Sequence, residues 1–129
     1  MIRDLSGSAL LLLAVAACGS GGSDPPPLPP ACPANSICMA GAAFYTTPGT
    51  VPPSVTVNAG TPVVWRNLSG VDHNVTFTNP AAAGGVGGGA SGDIGPHRSG
   101  TNSRVFVAAG AQAFQCTLHS NMTGTVVVQ

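Results

Sequence analysis

Apolar and polar residues alternate in short runs through the second half of the chain. Residues 54–57 (Ser-Val-Thr-Val), 63–67 (Val-Val-Trp-Arg-Asn), 74–78 (Asn-Val-Thr-Phe-Thr), 103–107, 111–115 and 123–128 all carry the pattern. A period of two places one set of side chains on each face of a strand, so each run predicts a half-buried β-strand. Turn residues separate them: Asn58-Ala59-Gly60, Leu68-Ser69-Gly70 and Ala108-Ala109-Gly110. No window beyond the first seventeen residues sustains a helical period. Many short strands with Gly-containing turns predict an all-β sandwich or barrel, and a Greek-key β-sandwich is the expected architecture. One stretch breaks the pattern. Residues 84–100 are dominated by Gly, which loses packing and conformational entropy in a strand, and a long mobile loop is expected there.

The N-terminus has a different character. Residues 9–17 form an apolar run behind Arg3 and Asp4. As a helix this run would be only about 13 Å long, against the roughly 30 Å hydrocarbon core of a bilayer. It therefore predicts a signal peptide over residues 1–17 rather than a membrane span. Val15-Ala16-Ala17-Cys18 has the form of a bacterial lipobox, with Cys18 as the residue to be lipidated; the alternative is an ordinary secretory signal with a Cys at its end. Residues 18–30 then read as a tether, flexible where Gly and Ser dominate and stiff where Pro dominates. Residues 31–129 are left as one domain.

Composition narrows the function. The 129 residues include no Lys and no Glu, and the formal net charge is zero, so the basic stripe of a nucleic-acid binder is absent. Four Cys are present. With Cys18 assigned to lipid and Cys116 to the chemistry below, Cys32 and Cys38 remain. Six positions apart in an exported domain, they are expected to form a disulfide; a copper-transfer pair is the alternative.

The candidate chemistry lies near the C-terminus. In Phe114-Gln115-Cys116-Thr117-Leu118-His119-Ser120-Asn121-Met122, the spacing Cys-x-x-His-x-x-Met can fold three ligands around one ion. His73 is placed to be the fourth. A thiolate, two imidazoles and a thioether are the ligands of a blue-copper electron-transfer site. Soft sulfur favours Cu(I), and imidazole suits both oxidation states. His97, between Pro96 and Arg98 in the Gly-rich stretch, reads as a solvated side chain, and Trp65 as core.

Trp65-Arg66-Asn67, Asp72-His73-Asn74-Val75 and Phe114-x-Cys116-Thr117-x-His119-x-x-Met122-x-Gly124-x-Val126 together resemble the cupredoxins. The pattern is nearest to the amicyanin-type and bacterial plastocyanin-like proteins with short ligand loops, and the resemblance spans roughly residues 42–129. It implies a Greek-key β-sandwich holding one type 1 copper ion. His73, Cys116 and His119 would be equatorial ligands, and Met122 the weak axial one. It also implies that Asn74 hydrogen-bonds across to the Cys loop, a partner of the kind that orients ligands and tunes a metal. Two departures stand out. Leu118 occupies a position where such loops often carry Pro, which provides a backbone N–H near the thiolate. Asp72 precedes His73, which brings a carboxylate close to a ligand.

The function expected from these features is single-electron transfer between protein redox partners, by a monomer anchored through lipid in the bacterial cell envelope, outside the cytoplasm. It is not expected to be an enzyme, because three strong ligands and one weak one leave no substrate position. A copper nitrite reductase would need a further His cluster. Copper storage or delivery is the alternative role, and the poverty of additional Met and His speaks against it.

Overall fold

The computed structural model describes residues 31–46 and 51–129. The signal peptide, Cys18 and the tether lie outside the described residues. Among the described residues, nine strands form two facing sheets. In chain order they are β1 (Ser36–Ala40), β2 (Ala43–Tyr45), β3 (Ser54–Val57), β4 (Val63–Asn67), β5 (His73–Phe77), β6 (Ile94–His97), β7 (Gly100–Arg104), β8 (Gly110–Gln115) and β9 (Thr123–Val128). One sheet has the order β2-β1-β4-β7 and the other β3-β9-β8-β5-β6. Both are mixed: β1 runs parallel to β4, β3 runs parallel to β9, and the remaining pairs are antiparallel. The expected β-sandwich is therefore present.

Alternation translates directly into burial. In β4, Val63, Trp65 and Asn67 point inward while Val64 and Arg66 lie nearer solvent; in β5, His73, Val75 and Phe77 point inward. The inward residues meet around Trp65, which is fully buried. Its ring stands edge-to-face against Phe77 at 5.4 Å and Phe114 at 5.5 Å, and Phe44 meets Phe114 at 5.0 Å. Such pairs contribute about 0.5–1.5 kcal/mol each beyond the area they bury. Gly124 lies opposite Phe114 in the β8–β9 ladder, and the Phe114 ring occupies the space a Cβ on Gly124 would need.

Three expectations are corrected. Two strands, β1 and β2, precede the first strand legible in the pattern. Residues 36–39 are buried without alternation, because β1 is covered on both sides: by the core, and by a small cluster containing Tyr45 and the Cys32–Cys38 disulfide. The last strand of the β4 sheet covers Gly100–Arg104 rather than 103–107. Its register Val63↔Arg104 through Asn67↔Gly100 is set by pairing with β4, and Val105 instead bridges Gly84.

The third correction concerns residues 84–100, which are not one long loop. They contain a short 3-10 turn (Val86–Gly88) and the whole of β6, and side chains pin them down. Buried Arg104 donates from Nε to the Gly92 carbonyl (2.6 Å), from Nη2 to the Asp93 carbonyl (2.9 Å) and from Nη1 to the Ser103 carbonyl (2.8 Å). Asp93 Oδ1 accepts the Phe77 N–H at 2.9 Å. Carbonyls that Gly-rich backbone would otherwise leave unpaired are satisfied by one guanidinium, whose planar fork suits several acceptors at once.

Candidate metal centre

The ladder between β8 and β9 builds the loop. Phe114↔Gly124 and Gln115↔Thr123 are its last two rungs, and the Cys116 N–H donates to the Met122 carbonyl at 2.9 Å. Cys116 and Met122 are thus fixed by sheet geometry at the two ends of a five-residue loop. Asn121 closes the loop at φ 62°, a left-handed conformation that Asn tolerates better than most residues. His73 opens β5, the strand beside β8. The β5–β8 register, Thr76↔Gln115 and Phe77↔Phe114, places Asn74 opposite Thr117. There Asn74 Nδ2 donates to Thr117 Oγ1 at 2.7 Å, and the Thr117 N–H donates to Asn74 Oδ1 at 2.8 Å. These two hydrogen bonds tie the start of β5 to the Cys116 loop.

Donor atoms converge at this end of the sandwich. One ring nitrogen of His73, one of His119 and the sulfur of Cys116 all lie within 4.8 Å of one another. Cys116 Sγ is 3.5 Å from His119 Nδ1 and 3.9 Å from His73 Nδ1. The imidazole rings are tilted 43° to one another with centroids 4.5 Å apart. His73 and Cys116 are buried and His119 is partly exposed. Met122 is 1% exposed. Cys116 is the free cysteine among the described residues, so its sulfur is available as a ligand. Burial foremost, then the neighbouring His119 and His97, holds the pKa of His73 below its ordinary value, against the opposing pull of Asp72 and a Gly41 backbone hydrogen bond. That favours the neutral imidazole, the form that binds metal.

The remaining candidates fall around this point. Leu118 is half exposed on the loop. Among the described residues, the hydrogen-bond partners of Cys116 Sγ are the two imidazoles rather than the Leu118 N–H. Asp72 points to solvent and pairs with Arg98 at 3.3 Å. His97 is not simply solvated: it sits opposite His73 in the β5–β6 ladder, and its Nε2 is buried with no hydrogen-bond partner among the described residues. Sequence reading missed Ser69, whose Oγ lies 3.0 Å from His73 Nε2 on the side of the ring away from Cys116, and Asn67, whose Oδ1 holds Ser69.

Nine strands in two sheets, with one thiol, two imidazoles and a buried thioether at one end, define a copper site of the blue type. The profile of the copper binding proteins of the plastocyanin/azurin family matches residues 50–129, and the chain belongs to that family. No curated protein sequence matches it. Solved structures do. A methionine-to-alanine mutant of amicyanin in its Cu(I) form is 29% identical with a TM-score of 0.56, and covers 74% of this chain and 82% of its own. The oxidised form of a proline-to-alanine amicyanin mutant is 30% identical with the same TM-score and coverage. A reduced tryptophan-to-tyrosine amicyanin mutant is 29% identical, again at 0.56. The fold is thus that of a cupredoxin, and copper is its metal.

Proposed function

We propose that this protein is a lipid-anchored, extracytoplasmic carrier of single electrons, whose copper is held by His73, Cys116, His119 and Met122. The observation that supports it is the convergence of the Cys116 sulfur and the two imidazole nitrogens beside buried Met122. Copper in such a set supplies a one-electron couple between Cu(II) and Cu(I). The sandwich holds the ligands from rigid strand ends, so little has to move between the two states. With three strong donors and a thioether there is no open position for a substrate, and the protein acts as a carrier rather than an enzyme. His119 is the partly exposed member of the set. Its ring edge, beside half-exposed Leu118, is the route for electrons to a docked redox protein. Beyond the signal peptide three Arg face three Asp, so long-range electrostatic steering contributes little to docking.

The reading extends to the whole chain: signal peptide 1–17, lipid on Cys18, tether 18–30, and a monomeric copper domain 31–129 held at a bacterial cell envelope. Copper-loaded protein should be intensely blue and bleach reversibly on reduction, and Cys116→Ser should abolish the colour. A colourless Cu(II) complex, or colour that survives the substitution, overturns the copper assignment. Mass spectrometry of the native N-terminus tests the anchor. A chain starting at acylated Cys18 supports it, and an unmodified start further along overturns it.

A further inference from the structure

We infer that Asn67 and Ser69 are positioning residues for the metal site: together they hold the proton of His73 on Nε2 and leave Nδ1 as the lone pair facing Cys116. This rests on the reading of His73 as a ligand and adds how its ring is set.

Asn67 is 3% exposed at the end of β4. Its Nδ2 lies 2.8 Å from the Val71 carbonyl and 2.6 Å from the His97 carbonyl. Two carbonyls can face only the NH2 end of an amide. Oδ1 must therefore point the other way, where it accepts the Ser69 N–H at 3.0 Å. The Ser69 hydroxyl also lies 2.8 Å from Oδ1. Oδ1 has no proton, so the hydroxyl proton points at it; the Val71 carbonyl, at 3.4 Å from the same hydroxyl, is the poorer acceptor. With that proton committed, Ser69 Oγ can only accept from its other neighbours. It accepts the Val71 N–H at 3.2 Å and meets His73 Nε2 at 3.0 Å. Nε2 must then carry the hydrogen. A neutral imidazole has one N–H and one lone pair, so Nδ1, 3.9 Å from Cys116 Sγ, holds the lone pair. The hydroxyl's one donor and two acceptor positions are all used, and so are all four hydrogen-bonding positions of the Asn67 amide.

Two consequences follow. The His73 ring cannot flip without breaking a part-buried chain of hydrogen bonds that also ties β4 to the β5–β6 pair through the His97 carbonyl. In addition, an acceptor on Nε2–H makes Nδ1 a better donor, which favours Cu(II) over Cu(I). The competing acceptor is the Gly41 backbone, which also hydrogen-bonds the His73 ring.

The test uses Ser69→Ala, Ser69→Asp and Ser69→Thr in the full chain. Partners of this kind typically contribute about 10- to 100-fold to metal affinity. Ser69→Ala should lower Cu(II) affinity by about tenfold with a smaller loss for Cu(I), and so raise the reduction potential; a full tenfold difference between the two states is about 59 mV in a one-electron couple. Ser69→Asp, with a stronger acceptor, should shift the potential the other way, and Ser69→Thr should restore the wild-type value. Independently of copper, NMR of metal-free protein should show a solvent-protected His73 Nε2–H that is lost in Ser69→Ala. Wild-type potential and a protected Nε2–H in Ser69→Ala would assign the proton to Gly41 and overturn the inference. Shifts of the same sign in the Ala and Asp variants would overturn it too, since they would reflect general loosening. A wild-type protein that never turns blue defeats the copper reading instead, and the metal-free signal still decides this one.

Discussion

Two irregular segments of this small sandwich are held in opposite ways. The ligand loop, residues 116–122, is clamped from its own ends: the Cys116 N–H bonds the Met122 carbonyl, and Asn74 grips Thr117 with two hydrogen bonds. These restraints are backbone ladders carried one rung further, plus one neighbour-strand side chain. The Gly-rich segment that leads into β6 has few side chains of its own to pack. It is held partly from outside, by Arg104 reaching the Gly92 and Asp93 carbonyls, and by its own Asp93 accepting the Phe77 N–H. A loop rich in distinctive side chains can be secured locally. A loop of glycines keeps its backbone polar groups but offers few side chains to satisfy them, so backbone pairs such as Gly84–Val105 are supplemented by one buried guanidinium from another strand.

Arg104→Leu should break the second arrangement and spare the first. It removes a charged donor and strands the carbonyls it served. With about 1.5–3 kcal/mol for one hydrogen bond to a charged group, a loss of about 3 kcal/mol in denaturant unfolding is expected. Amide exchange should accelerate between residues 84 and 93, while the remaining folded protein still turns blue with copper. Equal acceleration at Thr117 would show that the two segments are coupled.

Gly124→Ala probes the floor beneath the ligand loop. A Cβ there meets the Phe114 ring and comes within 2.9 Å of Pro53 Cγ. Overpacking of this kind costs about 1–3 kcal/mol, and thermal unfolding should show it. A neutral result would mean that Phe114 turns away freely, and that its edge-to-face contacts with Trp65 and Phe44 contribute little to the fold.

Asn74→Ala sharpens the comparison at the loop itself. Two exposed hydrogen bonds are lost, about 1 kcal/mol in all at the low end of the usual net value of 0.5–1.5 kcal/mol each. The informative measurement is exchange of the Thr117 amide, which should speed up with no change at Gly92. The smallest effect is expected from Arg98→Ala. Its pair with Asp72 is solvent-exposed on both sides, and exposed ion pairs contribute little. The melting temperature at physiological salt should not move measurably; a drop as large as that of Asn74→Ala would mean that this pair fastens β6 onto β5.

The candidate site was legible because its chemistry is local and its residue types are rare. Cys116, His119 and Met122 lie within seven consecutive residues, and the loop that joins them is a simple extension of one hairpin. Strands β3, β4, β8 and β9 were legible because each buries one face, and alternation records that. β1 was not, because it is covered on both faces and shows no alternation. β6 was hidden by Gly95 and Pro96, which lie where its register against β5 is irregular.

What the sequence by itself determined is therefore the candidate ligand set, the all-β class and most of the strand positions, since these depend on residue type and short-range period. The tertiary structure alone decided the rest. Arg104 meets the Gly-rich segment eleven and twelve positions away, and Asn67 meets the His97 carbonyl thirty positions away. The Ser69 hydroxyl finds the His73 ring only because the turn between β4 and β5 folds back on itself. Hydrogen bonds are short and directional, and no periodicity along a chain records which distant polar groups will meet once the sheets close.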